Sequence, residues 1–559
     1  MKKVILSLIL VTLISGTLFA QRVYPLVSGI TVDSVLFTRA GITKMAMEKV
    51  SGHLYYSLGN GDIYEVYIPG VGAASDTFRY SSADHGITSL QGLCFRDSVI
   101  YLCGNNWAST TTVGKVVKGI LQPNGTRVWV DVVTTMPYQS ASSTGDHGFT
   151  DVSIDPAGNY IYFSSGARTH LGEIRTNNNA WANLREVPLT CHIFRFPINT
   201  HGIMLPNDST FLAGSGYIYA SGTRNAYDMA WDGNDTLFAI DNSGERDDPE
   251  ELNWIRAGKH YGFPWRMGSN NNPLRNPSYD VNTDPLVNHL SSGYINGWFA
   301  PDSTFPPVPN SVVFTDPVRN YGVAGDYYRD SVSGHVIHAS DSGNYITSFT
   351  AHRSPLGLVF DRDSVLAAPF RGDGFILNFM PGGDSAGYTP LSPWGSPCPF
   401  VDPSRELIQM KLTYNSSIDN YTMTTTNIVE GFYLPVDAEL VNNMLYVIEN
   451  GGDIWRITFP EYAGIHELLN ASPITVFPNP ASTILNIHQT QSTQLTQLTN
   501  QLLITDLLGN EVYKTILTGI DYTIPISKWN AGVYFYEVRN KESGLQITSS
   551  LRGKFVVQK

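Results

Sequence analysis

Short apolar strands separated by polar turns recur along most of the chain, alternating with the two-residue period of half-buried β-strands. The unit is an apolar strand, a turn, then a strand rich in Tyr or Phe that ends in Gly, Asn or Asp. It reads Ile42-Thr-Lys-Met-Ala-Met with Leu54-Tyr-Tyr-Ser-Leu-Gly59, then Leu90-Gln-Gly-Leu-Cys-Phe with Val99-Ile-Tyr-Leu-Cys-Gly104. It returns as Phe149-Thr-Asp-Val-Ser-Ile with Tyr160-Ile-Tyr-Phe-Ser-Ser, and as Ala226-Tyr-Asp-Met-Ala-Trp with Thr236-Leu-Phe-Ala-Ile-Asp241. The last two are Pro355-Leu-Gly-Leu-Val-Phe with Val365-Leu-Ala-Ala-Pro, and Pro435-Val-Asp-Ala-Glu-Leu with Leu445-Tyr-Val-Ile-Glu-Asn450. Further alternating stretches follow, such as Asp62-Ile-Tyr-Glu-Val and Asp453-Ile-Trp-Arg-Ile-Thr. Repeats of this kind predict an all-β fold, a six-bladed β-propeller over residues 21–465 whose innermost hairpins face an axial channel. The competing reading is a row of sandwiches with coincidental hairpins. The spacing is widest between the fourth and fifth copies, which predicts long insertions there, and loops on one face of a propeller are where sites are built.

After Glu461 the pattern changes. Residues 470–559 carry Val476-Phe-Pro-Asn-Pro-Ala, Ile504-Thr-Asp-Leu-Leu-Gly-Asn-Glu-Val-Tyr, Trp529-Asn-Ala-Gly-Val-Tyr-Phe-Tyr-Glu-Val and a closing Gly553-Lys-Phe-Val-Val-Gln-Lys559. These alternate as the strands of a small Ig-like sandwich, with a Gln/Thr-rich loop at 489–501. The module resembles the type A sorting domain of the type IX secretion system, and that resemblance implies the export machinery as a partner. A plain appended binding sandwich is the alternative.

Composition narrows the function. Of 559 residues 15% are charged and 42% hydrophobic, which allows a full core but favours turns and strands over solvated helices. The net charge of −13 argues against nucleic acid and against anionic membrane surfaces. Lys2 and Lys3, an apolar run from Val4 to Leu18 and the small Ala20 read as a signal peptide over residues 1–20. With no later apolar run long enough to span a bilayer, the mature protein is expected to be secreted, extracellular or on the cell surface. Cys94, Cys103, Cys191 and Cys398 would enter an oxidising space, but a turn centred on Asp97 does not place Cys94 opposite Cys103. Four Asp-Ser-Val triplets, at Asp33, Asp97, Asp330 and Asp363, read as turns; they also resemble the O-glycosylation sequence of exported Bacteroidetes proteins.

Three stretches carry candidate chemistry. Asp146-His147-Gly148 stands just before the third inner strand, where an imidazole beside a carboxylate can serve as a general base. Arg224-Asn225 precedes the fourth inner strand, and a guanidinium there offers a fixed fork to an anionic ligand. The plain alternative is an Arg tied to a neighbouring blade. The run Asp241-Asn-Ser-Gly244-Glu245-Arg-Asp247-Asp248-Pro-Glu250-Glu251-Leu-Asn253 collects oxygens that suit Ca²⁺, or else forms a solvated acidic loop.

In this order, with Gly258-Lys-His-Tyr261-Gly262-Phe-Pro264, Pro355-Leu-Gly-Leu-Val-Phe and the closing Gly431-Phe to Ile457 stretch, the chain resembles the glucose/sorbosone dehydrogenase family over most of residues 40–460. That resemblance implies a secreted dehydrogenase of sugars or alcohols that uses pyrroloquinoline quinone (PQQ) and Ca²⁺. His147 would take the hydroxyl proton and Asp146 would orient it. Arg224 and Asn225 would flank the quinone, Arg371 would meet its carboxylates, and backbone oxygens of Gly244 and Glu245 would hold Ca²⁺. The chain departs from the family at three points. No Lys follows the Pro-Leu-Gly-Leu strand, where Arg362 is the nearest cation; no Gln is evident ahead of the second inner strand; and the acidic loop is one residue longer. A non-catalytic propeller binding glycans or cell-surface partners is the alternative, and a Ca²⁺-dependent lactonase-like hydrolase a third reading.

Overall fold

The computed structural model describes residues 22–70, 72–141, 145–322, 327–339, 348–380, 382–383, 401–402, 405–460, 474–489, 499–517, 521–541 and 549–559. Residues 1–20, read from the sequence as a signal peptide, and Cys398 lie outside the described residues. The chain divides into two compact units, Met1–Glu461 and Tyr462–Lys559.

The first unit is a six-bladed propeller. Its blades begin with the inner strands Ile42–Glu48, Ser89–Arg96, Phe149–Ile154, Ala226–Trp231, Pro355–Phe360 and Pro435–Val441, each paired antiparallel with the next strand in sequence. Each inner strand touches the next, and the sixth touches the first, so the ring is closed. Closure is completed by sequence ends. Thr31–Phe37, from the N-terminal side, pairs antiparallel with Asp453–Thr458 as the outer strand of the sixth blade. That pairing covers an edge which would otherwise present unpaired amides and carbonyls.

Five of the six hairpins fall where the alternation places them. In the fifth, the partner of Pro355–Phe360 is Gly374–Asn378, not the apolar run Val365–Pro369. The Asp361 carboxylate accepts from the amides of Val365, Leu366 and Gly372 and folds that run into a loop. Of the Asp-Ser-Val triplets, Asp97 does form the tight turn between Ser89–Arg96 and Val99–Trp107, with a positive φ of 52°. Asp33, by contrast, sits inside a strand opposite Arg456. Cys94 faces Tyr101 while Cys103 faces Gly92, so the two thiols are out of register; Cys94, Cys103 and Cys191 are all free.

All six inner strands break register at the same point, near their second and third residues. A bulge re-aims side chains locally. The third residues of the repeat, Lys44, Gly92, Asp151, Asp228, Gly357 and Asp437, therefore form a girdle partway down the tunnel. Asp437 accepts from the Met45 amide, Asp151 from Met229 and Asp228 from Leu358, each reaching into another blade. Lys44 Nζ stands 2.6 Å from Asp228, 3.4 Å from Asp151 and 3.8 Å from Asp437. Gly92 and Gly357 complete the girdle because a Cβ there would lie about 3 Å from the backbone of Asp151 and Asp437.

The second unit is two small antiparallel sheets, one of Ile474–Phe477, Ile484–Gln489 and Asp521–Pro525, the other of Glu511–Leu517, Thr499–Thr505, Gly532–Lys541 and Ser549–Val557. Leu485, Ile487, Leu502, Ile504, Ile524 and Phe555 fill its core. The run 489–501, expected as a loop, lies outside the described residues except at its ends, where Thr499–Gln501 is strand.

Candidate active site

The starting ends of the inner strands surround a cavity of about 470 Å³ at one mouth of the tunnel. Blades two to five contribute to it, and Asp146, His147, Arg224, Asn225, Gly244 and Glu245 all lie on its wall.

His147 is set by the residues after it. Phe149 is fully buried and packs on Phe163 at 5.0 Å between ring centroids, which fixes the start of the third inner strand. Gly148 takes a φ of +63°, and a Cβ there would meet Asn105 Oδ1 at 2.4 Å. Asn105 uses that closeness: its Oδ1 accepts from the Phe149 amide and its Nδ2 donates to the Phe149 carbonyl. His147 N–H donates to Ala167 O at 3.0 Å, and Gly166 lets the His147 Cβ come close where any side chain would clash. Nε2 of the ring is buried and meets no hydrogen-bond partner among the described residues. Burial first, and then Arg224 and His170, hold the imidazole well below its ordinary pKa of 6.5. Asp146 turns Oδ2 to the Ala141 amide, so this carboxylate braces the loop that carries His147.

Arg224 is fully embedded. Nε donates to His170 O at 2.9 Å, and Nη1 donates to Asn242 O at 3.0 Å and Ser243 O at 2.8 Å. Its cation is met by neutral carbonyls, with no carboxylate in ion-pair range among the described residues. Nη2 makes only a 3.5 Å approach to His170 Nδ1. Asp241 caps the turn from below, accepting from the amides of Arg224 and Asn225. Asn225 Nδ2 donates to Asn242 Oδ1, and Asn242 Nδ2 donates on to Pro355 O in the fifth blade. Asn225 Oδ1, Thr223 Oγ1 and Ser243 Oγ are buried without partners among the described residues.

The acidic run is neither a carboxylate cage nor a solvated loop. Glu250 accepts from the Ser243 and Ser354 amides, and Glu251 from Gly268 N–H and Asn253 Nδ2. Asp247 pairs with Arg329 and His352, Asp248 with Arg246, and Glu245 accepts from the Gly293 amide. All but the half-buried Glu245 are buried, and they serve as scaffold for the insertion between the fourth and fifth blades. Among the described residues no group of three or more His, Cys, Asp or Glu side chains is placed to hold a metal ion. Gly244 and Glu245 lie on the cavity wall, and backbone oxygens are hard donors of the kind that Ca²⁺ takes.

Arg371 does not join the others. It follows Phe360, at the opposite end of the fifth inner hairpin from Pro355, and is exposed. Arg362 stands at that far mouth too, paired with Asp235. Two residues that the sequence reading missed do join. Gln91, the second residue of its repeat and inside the second inner strand, lines the cavity. His170, from the loop between the second and third strands of blade three, also lines it. The signal for Gln91 was its place in the repeat, alongside Thr150, Tyr227 and Leu356 on the same wall. His170 had no signal of that kind.

Residues 94–285 match the family model described as glucose/sorbosone dehydrogenase, and residues 475–551 match the secretion system C-terminal sorting domain. No curated protein matches the chain. Similar solved structures include the holo PQQ domain of pyranose dehydrogenase from Coprinopsis cinerea, 14% identical, covering 78% of this chain and 97% of that one, with a TM-score of 0.46. The apo soluble aldose sugar dehydrogenase from Escherichia coli is 15% identical over 77% of this chain and 100% of that one, TM-score 0.46. The PQQ-bound aldose sugar dehydrogenase from Streptomyces coelicolor is 15% identical over 77% and 98%, TM-score 0.42.

Proposed function

From a propeller that carries a glucose/sorbosone dehydrogenase domain and a chain that ends in a secretion-system sorting domain, we propose a secreted, PQQ-dependent dehydrogenase of sugars or alcohols. The observation that carries the reading is the state of the cavity wall. A buried guanidinium held by three carbonyls with no carboxylate in ion-pair range, and two buried imidazole nitrogens that meet no partner among the described residues, belong to residues lining one space. Buried polar groups left unpaired cost roughly 1–3 kcal/mol each, so such a wall is built to be completed by a polar ligand.

The residues present fit an anionic quinone with its cation. Arg224 and Asn225 would hold its oxygens, and the Gly244 and Glu245 carbonyls would hold Ca²⁺. When bound, the quinone supplies a two-electron acceptor for the hydride of a substrate C–H, with Ca²⁺ as its Lewis acid. The protein's own part is narrower. His147 stays neutral at neutral pH, and with its ring proton on Nδ1 its Nε2 would accept the hydroxyl proton of the substrate. Arg224 would fix negative charge beside it. Among the described residues of the wall, Arg224 is the one permanent cation. Cofactor affinity therefore leans on Ca²⁺.

The test is dye reduction by the purified chain with PQQ, Ca²⁺ and a panel of aldoses and alcohols. Turnover with at least one of them is expected, lost on chelation and restored by Ca²⁺. Turnover of lactones with metal but without quinone would overturn the reading in favour of a hydrolase.

A further inference from the structure

His170 is the other imidazole of the cavity, and its surroundings define its chemistry. The ring is buried and stacks on Trp298 with centroids 4.8 Å apart and planes 21° apart. Trp298 is in turn covered by the Arg175 guanidinium at 3.9 Å. Glu173 accepts from the His170 amide at 3.1 Å, and the His170 carbonyl anchors Arg224 Nε. Gly145 leaves the space that the ring fills, since a Cβ there would lie 2.5 Å from it. Backbone and ring are thus both fixed.

The two ring nitrogens face different partners. Nδ1 faces Arg224 Nη2 at 3.5 Å. A guanidinium only donates, so Nδ1 must be the acceptor and the ring proton belongs on Nε2. Nε2 is buried and meets no partner among the described residues, and His170 itself lines the cavity. An N–H in that position, next to an Arg whose Nη2 is also uncommitted beyond Nδ1, makes a two-donor corner.

We infer that His170 is a ligand-binding residue whose Nε2–H donates to an oxygen of the bound molecule, side by side with Arg224. The inference rests on the dehydrogenase reading for the identity of that molecule, an electron-accepting quinone whose oxygen gains negative charge. His147 and His170 then have opposite duties: one accepts a proton from substrate, the other donates a hydrogen bond to the acceptor. A charge-assisted bond of this type is worth about ten- to a hundredfold in affinity.

Selective ¹⁵N-histidine labelling of the purified chain, with His170→Phe to assign the signals, reads the tautomer directly. The expected pattern is a protonated Nε2 and an unprotonated Nδ1, with the Nε2 proton moving downfield when PQQ and Ca²⁺ are added. His170→Phe, which keeps a ring against Trp298, should weaken PQQ binding at least tenfold, and His170→Gln, which keeps an N–H donor, should recover most of it. A proton on Nδ1, or a Phe variant that binds PQQ as tightly as the unmodified chain, overturns the inference. If the unmodified chain binds no PQQ, the dehydrogenase reading fails by itself. The donor assignment is then still decided by the nitrogen shifts of the quinone-free protein.

Discussion

Burial strips water from the His147 imidazole, and Arg224 adds a cation beside it, so the protonated ring is doubly disfavoured. The sign for function follows. A base whose pKa sits well below 6.5 remains free of its proton through the neutral range and into mild acid. The rate profile, kcat/KM against pH, should therefore show no acid limb near 6.5, and His147→Gln should lower kcat by roughly 10²–10⁴-fold with PQQ affinity changed little. A limb centred at 6.5 would mean a solvated imidazole. The stability linkage runs the same way: the contribution of neutral His147 is present above pH 6.5 and lost as pH falls below it. His147, Arg224 and Asn225 were legible because each stands immediately before an inner strand of the repeat, and the ring brings those positions together. Arg371 was misplaced because a motif gives no hairpin direction. It lies past the far turn of a strand pair whose near end meets the cavity. His170 was invisible because its place depends on Trp298 and Gly145, 128 residues after it and 25 before it, and no local pattern encodes that meeting.

Strands and hairpins were the most readable level, since alternation reports which face of a strand is buried. The fifth hairpin shows the limit. Val365-Leu-Ala-Ala-Pro is as apolar as a strand, but Asp361 ties up its amides and hands the pairing to Gly374–Asn378. Apolar content alone cannot see where a carboxylate will cap a loop. The N-terminal strand Thr31–Phe37 carries a different consequence. It has six partnered positions against Asp453–Thr458 and closes the ring across more than 400 residues of chain. Each ladder hydrogen bond contributes about 1 kcal/mol. Deleting residues 22–40 should lower the melting temperature and open the sixth blade to proteolysis between 444 and 458. An unchanged melting temperature would show that the strand is an ornament on a ring already closed.

Across the whole propeller, the girdle of Lys44, Asp151, Asp228 and Asp437 joins four blades at the tunnel wall. It could have been read from the third residue of each repeat, where Lys, Gly, Asp, Asp, Gly and Asp follow one another; what alternation could not supply was the bulge that aims them inward. Burial, the largest cause, pushes the Asp151 carboxyl up to about 7 against the pull of Lys44. A carboxyl raised on folding contributes stability that is complete below its ordinary pKa of 3.8 and is lost as pH rises through about 7. Lys44→Met removes the one cation and leaves three buried carboxylates, at a cost of roughly 3–5 kcal/mol. The variant should be weakest on the alkaline side, and melting curves from pH 4 to 9 would show it; a loss independent of pH would point to packing alone. The propeller's other mouth holds the candidate cavity, proposed to bind a quinone through Arg224 and, with Ca²⁺, the carbonyls at 244 and 245. The most direct measurement is a fluorescence titration of the purified chain with PQQ, with and without Ca²⁺, for the unmodified protein and Arg224→Met. The account predicts saturable 1:1 binding that requires Ca²⁺ and is lost in the variant. No saturable binding in the unmodified protein, or equal binding in Arg224→Met, would contradict it.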